Sequence, residues 1–207
     1  MAGWRAYSGS AVALPIDGID TDQLIPARFM STPRTEGYGR FLMHDLRFGS
    51  NGEAYAEHPL NQHHDASVLV TGRNFGGGSS REAAVYALID FGIKAVVAPS
   101  FGDIFAGNAV NNGLLPARVS EDDCDKLTKA LDKAAHPATI DLDNSQVTIA
   151  DLTVSFAIDP VWRTKLIEGW DDIDLTAQYG EAIATFSQKD RATRAWAYLG
   201  TEPSPPN

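Results

Sequence analysis

Cysteine is nearly absent from this 207-residue chain, where Cys124 stands alone. One thiol excludes an internal disulfide, a cysteine zinc site and a self-contained iron–sulfur cluster, which takes three or four thiolates. Long apolar runs are missing as well. No stretch approaches the roughly 20 apolar residues of a membrane span, and the opening MAGWRAYSGS has no apolar core for a secretion signal. Positive charge is scarce: 17 Lys and Arg stand against 27 Asp and Glu, a formal net charge of −10. Such a surface repels phosphate backbones, so neither nucleic acid nor an anionic membrane is an expected partner. Apolar material is plentiful, with 43% hydrophobic against 21% charged residues. That is enough for a core and rules out general disorder. The expectation is a soluble cytoplasmic protein of one domain, with an appended helical piece at most.

Periodicity organises the middle of the chain. SAVALPI (10–16) reads as a strand, followed by a turn-rich segment with Asp17, Asp20 and Asp22. Residues 29–65 read as a long excursion with one helical turn near 40–47, and a loop of that length inside a domain is usually functional. SVLVTG (67–72) is a β-branched strand, RNFGGGSS (73–80) a glycine-rich loop, and REAAVYALIDFG (81–92) a helix stopped by Gly92. Strand (93–100), short helix (101–113) and strand (114–119) follow, a series that implies an α/β layer with parallel pairing. An acid-led amphipathic helix (120–136), a hairpin about Asp143-Asn144 and helices from Pro160 complete the reading.

Strand, glycine loop and helix together make a place for an anion. The first amides of a helix lack internal partners, and the helix dipole adds about half a positive charge there. Gly76, Gly77 and Gly78 let a ligand approach the backbone. Arg81 offers a planar fork matched to carboxylate, and Ser79 and Ser80 add hydroxyls. The same residues carry a purely structural reading: Ser79-Ser80-Arg81-Glu82 fits S-x-x-E, a capping box. The loop is neither a Walker A motif nor a dinucleotide fingerprint, because no Gly-Lys-Ser/Thr follows and the tripled glycine runs into two serines.

These residues resemble a known family. GRNFGGGSSREAA (72–84) resembles the G-x-x-F-G-x-G-S-S-R-E-H-A signature of the aconitase C-terminal domain family, most closely that of isopropylmalate isomerase small subunits. IDGIDTDQLIPARF (16–29), FGIKAVVAPSFGDIFAGNAVNNGLLP (91–116) and DPVWRTKLIEGWDDIDLT (159–176) resemble further blocks of that family in the same order. The resemblance implies a three-layer β/β/α swivelling domain, placed over 1–158; the residue pattern adds a C-terminal helical extension over 159–201 and a disordered tail over 202–207. Two positions depart from the pattern. Gly77 stands where the family often has a larger residue, frequently Cys, and Ala83 replaces its His.

The resemblance also implies chemistry: dehydration of a 2-hydroxy diacid and rehydration with the hydroxyl moved by one carbon. Ser79 and Arg81 would be catalytic, Ser79 as the alkoxide base. Amides from Gly77 to Arg81 and the Arg81 charge would stabilise that alkoxide. Arg81, Ser80, Gly77 and Gly78 would bind the small dicarboxylate. Phe29, Met30, Ser31 and Thr32 would line its side-chain pocket. Asp20, Thr21 and Asp22 would order the turn or meet the partner. This chain would bind no metal; a [4Fe–4S] cluster is expected on a separate large subunit, where its open iron would act as Lewis acid. Two alternatives accompany this reading: a paralogous hydratase for citraconate or a methylated maleate, and a non-catalytic anion-binding module.

The remaining chemistry-bearing residues read as structural. His63 and His64 form a solvated pair, with His44 and His58 likewise solvated. Cys124 is a structural thiol among acids that disfavour thiolate. Trp162, Trp170 and Trp196 belong to a core or a subunit contact.

Overall fold

The computed structural model describes residues 2–132 and 134–198; the expected tail at 202–207 lies outside them. The chain forms two compact units, 1–171 and 172–207. Four parallel strands make the centre of the first unit: β1 (Ala6–Leu14), β2 (Ala66–Thr71), β3 (Ala95–Ala98) and β4 (Leu115–Arg118). β5 (His136–Asp141), β6 (Gln146–Ile149) and β7 (Leu152–Ser155) continue the sheet antiparallel, in the order β4-β3-β2-β1-β5-β6-β7. After β7 the chain returns to the far edge, where the Ala157 N–H donates to the Arg118 carbonyl at 2.7 Å. The sheet therefore curls toward closure, which protects both edge strands.

Helices α1 (Thr21–Leu24), α2 (His44–Arg47) and α3 (Pro59–Gln62) lie between β1 and β2. α4 (Glu82–Phe91), α5 (Asp103–Asn111) and α6 (Glu121–Leu131) follow β2, β3 and β4, and α7 (Pro160–Glu168) follows the antiparallel strands. Strand alternation sends side chains to two cores. Val12, Leu14, Leu69, Val96 and Ala98 face α4 and the excursion. Ala11, Ala13, Val68, Val70, Ala95 and Val97 face α6 and the residues of β5–β7. Helical layer, parallel sheet and curled β layer make up the β/β/α arrangement expected from the resemblance.

Local sequence explains most of these elements. α4 buries Ala84, Val85 and Leu88 and stops at Gly92, whose φ of 114° suits glycine. α6 starts on Ser120, whose hydroxyl accepts from the Asp123 N–H, and buries Cys124, Leu127 and Leu131 on one face. α7 packs with the sheet unit: Leu166 is buried in the second core and its carbonyl accepts from the Trp4 N–H at 3.0 Å. The first compact unit thus runs past the 158/159 division drawn from sequence. The second unit holds α8 (Asp172–Ala177) and α9 (Gly180–Thr193), with Asp190 accepting from Arg194 and the Tyr198 hydroxyl. Trp196 is exposed rather than part of a core within this chain.

The excursion is more ordered than the sequence implies. Buried Arg47 anchors it, donating to Asn61 Oδ1 at 2.9 Å and the Leu42 carbonyl at 3.1 Å, with the Phe48 and Phe91 rings over its guanidinium. His58, expected in solvent, is buried. It caps α3 by accepting from the Leu60 N–H through Nδ1. Burial first, and then the Arg47 charge, push its pKa down to about 4. The difference from the sequence reading has a physical cause: Leu60 pulls α3 into the core and takes His58 with it.

Candidate active site at the carboxyl ends of the parallel strands

In open parallel sheets, ligands sit beyond the carboxyl ends of the strands. Here three segments run on from β1, β2 and β3 and stay paired. The Gly18 N–H donates to the Arg73 carbonyl and the Gly76 N–H to the Ile19 carbonyl, each at 2.7 Å. On the other flank, the Phe75 N–H donates to the Ser100 carbonyl and the Gly102 N–H to the Phe75 carbonyl. The glycine loop is therefore held on both sides. Gly76 is required at its centre: φ is +72°, and a Cβ there would fall 2.2 Å from the Phe105 ring.

Ser79 is exposed. It borders a cleft of about 210 Å³ between residues 76–79 and residues 102–105. Gly77 and Gly78 form the loop side of that cleft, and Asp103, Ile104 and Phe105 the other. Sequence reasoning missed Gly102–Phe105. The available signal was topological: the turn after β3 lies beside the turn after β2 whenever those strands are parallel neighbours. A larger hollow, about 760 Å³, lies between the end of β1, α3 and α6, and no glycine-loop residue lines it.

The capping box does not form. α4 begins at Glu82 with Arg81 as its N-cap, which makes no side-chain cap bond. Glu82 accepts instead from Asn112 Nδ2 at 2.8 Å. Ser79 thus precedes the helix, and the expected set of helix amides from Gly77 to Arg81 is corrected: the first turn starts at Glu82. The reason is pairing. Gly77 bridges to Asp20, with the Thr21 N–H donating to the Gly77 carbonyl at 3.0 Å, and this holds the loop off the helical path.

The other candidates divide. Asp20 caps α1 in a capping box with Gln23. Thr21 is buried, and its hydroxyl donates to the Ser79 carbonyl at 3.0 Å. Asp22 accepts a close charged hydrogen bond from Arg81 Nη1. Ser80 is exposed, and Ala83, at the family's His position, sits in the first turn of α4 and is buried against the core. Residues 29–32 make local contacts: Phe29 stacks on Phe41 at 4.3 Å and packs against the first core, the Ser31 hydroxyl donates to the Arg28 carbonyl, and the Thr32 carbonyl accepts from the Tyr38 hydroxyl. Met30 is exposed at 40%. Cys124 is buried, its thiol donating to the Thr71 carbonyl, and burial pushes its pKa up. Among the described residues no group of three or more His, Cys, Asp or Glu side chains is arranged to hold a metal. No described helix is long and apolar enough to cross a membrane.

A curled mixed sheet, with a serine-bearing glycine loop at the carboxyl ends of its parallel strands, defines a domain of the aconitase C-terminal type. The family model of the aconitase C-terminal domain matches residues 1–122, and the chain belongs to that family. Within it the chain is similar to proteins named 3-isopropylmalate dehydratase small subunit. The Shouchella clausii protein is 40% identical over 190 residues, 91% of this chain and 96% of that one. The Rhodospirillum centenum protein is 39% identical, covering 95% and 99% respectively. The Bacillus subtilis protein is 40% identical, covering 89% and 94%. A crystal structure of 3-isopropylmalate dehydratase from Methanocaldococcus jannaschii matches with a TM-score of 0.62 at 28% identity, covering 87% of this chain and 98% of that one.

Proposed function

We propose that this chain is the small subunit of a 3-isopropylmalate dehydratase, a hydro-lyase acting in leucine biosynthesis. The observation that carries the reading is identity of about 40% across nearly the full length of proteins of that name. The site agrees with it, since an exposed serine borders an open cleft, and Arg81, paired with Asp22, follows two residues on. In this reading Ser79 Oγ takes a proton from the substrate carbon. Arg81 and Ser80 bind substrate carboxylate, and the Arg81 charge stabilises the Ser79 alkoxide, which becomes the hydroxyl as it takes the proton.

A serine hydroxyl is a very weak acid, so its alkoxide needs a nearby positive charge such as that of Arg81, which acts most strongly where water is excluded. The cleft in this chain has the glycine loop on one side and residues 102–105 on the other and is open to solvent. The wall that closes it is assigned to a large subunit, and activity belongs to the assembled pair. An iron–sulfur cluster does not fit this chain, which has one buried thiol. The cluster is assigned to the partner.

The test is reconstitution. This chain combined with a cluster-bearing large subunit is expected to interconvert 2- and 3-isopropylmalate, with kcat/KM well above that for citraconate or methylated maleates. A complex that prefers citraconate would replace this reading with the paralogous one. A chain that binds dicarboxylates and never supports turnover would leave only an anion-binding module.

A further inference from the structure

Thr21 and Asp22 hold the two groups that the proposed reaction uses, from a distant part of the sequence. Thr21 is 2% exposed and makes two bonds to the glycine loop. Its N–H donates to the Gly77 carbonyl and its hydroxyl to the Ser79 carbonyl, each at 3.0 Å. Asp22 meets the guanidinium at Nη1 alone, with the Arg81 side chain 23% and the Asp22 side chain 54% exposed. The frame carrying both residues is itself fixed. Asp20 accepts from the Gln23 N–H at 2.7 Å, and the Asp20 N–H donates to Gln23 Oε1 at 2.9 Å. Ile25 and Leu24 bury the far side of α1 in the core.

We infer that Thr21 and Asp22 are positioning residues: Thr21 fixes the backbone on which the Ser79 hydroxyl is aimed, and Asp22 fixes the Arg81 fork by one corner. The chemistry explains both residue types. Gly78, with φ of +98°, leaves the loop with little intrinsic stiffness, so Ser79 needs an external restraint. A hydroxyl donor to its carbonyl supplies one without touching Oγ. An arginine holding a substrate carboxylate must keep donors for it. A partner carboxylate at a single nitrogen orients the fork and leaves a second donor pair to bind bidentately. The inference rests on the proposed function for what is aimed at, but the restraint itself is a property of this chain.

Thr21→Val keeps the side-chain shape and removes the donor. Asp22→Ala removes the acceptor, and Asp22→Asn keeps an acceptor without the charge. In the reconstituted complex, Thr21→Val is expected to lower kcat by about 10-fold or more with KM within about 2-fold, because a misaimed base weakens the transition state and not ground-state binding. Asp22→Ala is expected to raise KM for isopropylmalate by roughly 10-fold, and Asp22→Asn to recover most of that. A role confined to folding would not split kcat from KM in opposite ways at adjacent residues. Amide hydrogen exchange is the second readout: both Thr21→Val and Asp22→Ala should speed exchange at residues 79–81 while Val85–Leu88 stay protected. If the wild-type complex turns over isopropylmalate and neither KM, kcat nor loop exchange moves, the positioning role is wrong. A lower KM in Asp22→Ala also overturns it, since Asp22 would then be competing with substrate. If the wild-type complex is inert but the variants loosen residues 79–81, the clamp stands and the dehydratase reading falls.

Discussion

Acid should loosen this fold through one buried side chain, His58. Its ring is neutral in the native state because burial and the neighbouring Arg47 charge both oppose protonation, bringing its pKa from 6.5 to about 4. In the unfolded chain the same ring titrates near 6.5. Between those values the unfolded state binds a proton that the native state refuses, so stability falls as pH drops through the window. A tenfold difference in proton affinity between the two states is worth about 1.4 kcal/mol. The total is about 2–3 kcal/mol between pH 6.5 and 4, allowing for partial solvent screening of the ring. At this chain length that corresponds to a fall in Tm of very roughly 5–10 °C. The control is His58→Asn, which can still cap α3 but cannot titrate. Urea unfolding at half-unit pH steps should show the wild type losing about 2–3 kcal/mol more than the variant across the window. Above pH 7 the difference between the two should be constant. Parallel loss in both proteins would refute the assignment and move the acid sensitivity to the carboxylates. Asp45, held down to about 2 by Arg28, cannot account for it, since it titrates below the window.

Three further outcomes follow from the packing. Gly76→Ala should cost about 2–4 kcal/mol, read as a lowered urea midpoint, because it combines a positive φ with a clash against Phe105. Arg47→Met should leave Asn61 Oδ1 and the Leu42 carbonyl without their donor, costing about 2–4 kcal/mol, and should make residues 29–65 the first site of limited proteolysis. Cys124 should react with Ellman's reagent far more slowly in the native protein than in the urea-unfolded chain, because the thiol is almost wholly buried and its pKa is raised; equal rates in the two states would contradict its placement.

The sequence made legible whatever is governed by local period and punctuation. β2, α4, β3, α5 and β4 follow from β-branched runs, helical spacing and the stops at Gly92 and Gly113, and the hairpin follows from its Asp-Asn turn. Ser79 at a glycine loop was legible for the same reason, with joint motif resemblance supplying the family. What escaped was set by contacts between distant residues. Ser79 looked like a helix cap because S-x-x-E is local, while the bridge from Gly77 to Asp20 that keeps it out of the helix is not. The Asp22–Arg81 pair spans 59 positions. His58 looked solvated beside polar neighbours because its burial depends on Leu60 reaching a core formed elsewhere. The return of residue 157 to β4, which curls the sheet, has no local signature at all.

The central claim is that Ser79 Oγ, as the alkoxide, removes the substrate proton, and Ser79→Ala in the reconstituted complex tests it most directly. The account predicts intact assembly and unchanged Tm, because Ser79 is exposed and its bond to Thr21 runs through the backbone carbonyl. Isomerisation should fall by about 10²-fold or more, the scale of losing a positioned base. A Ser79→Ala complex that interconverts the isopropylmalates at the wild-type rate would contradict the claim.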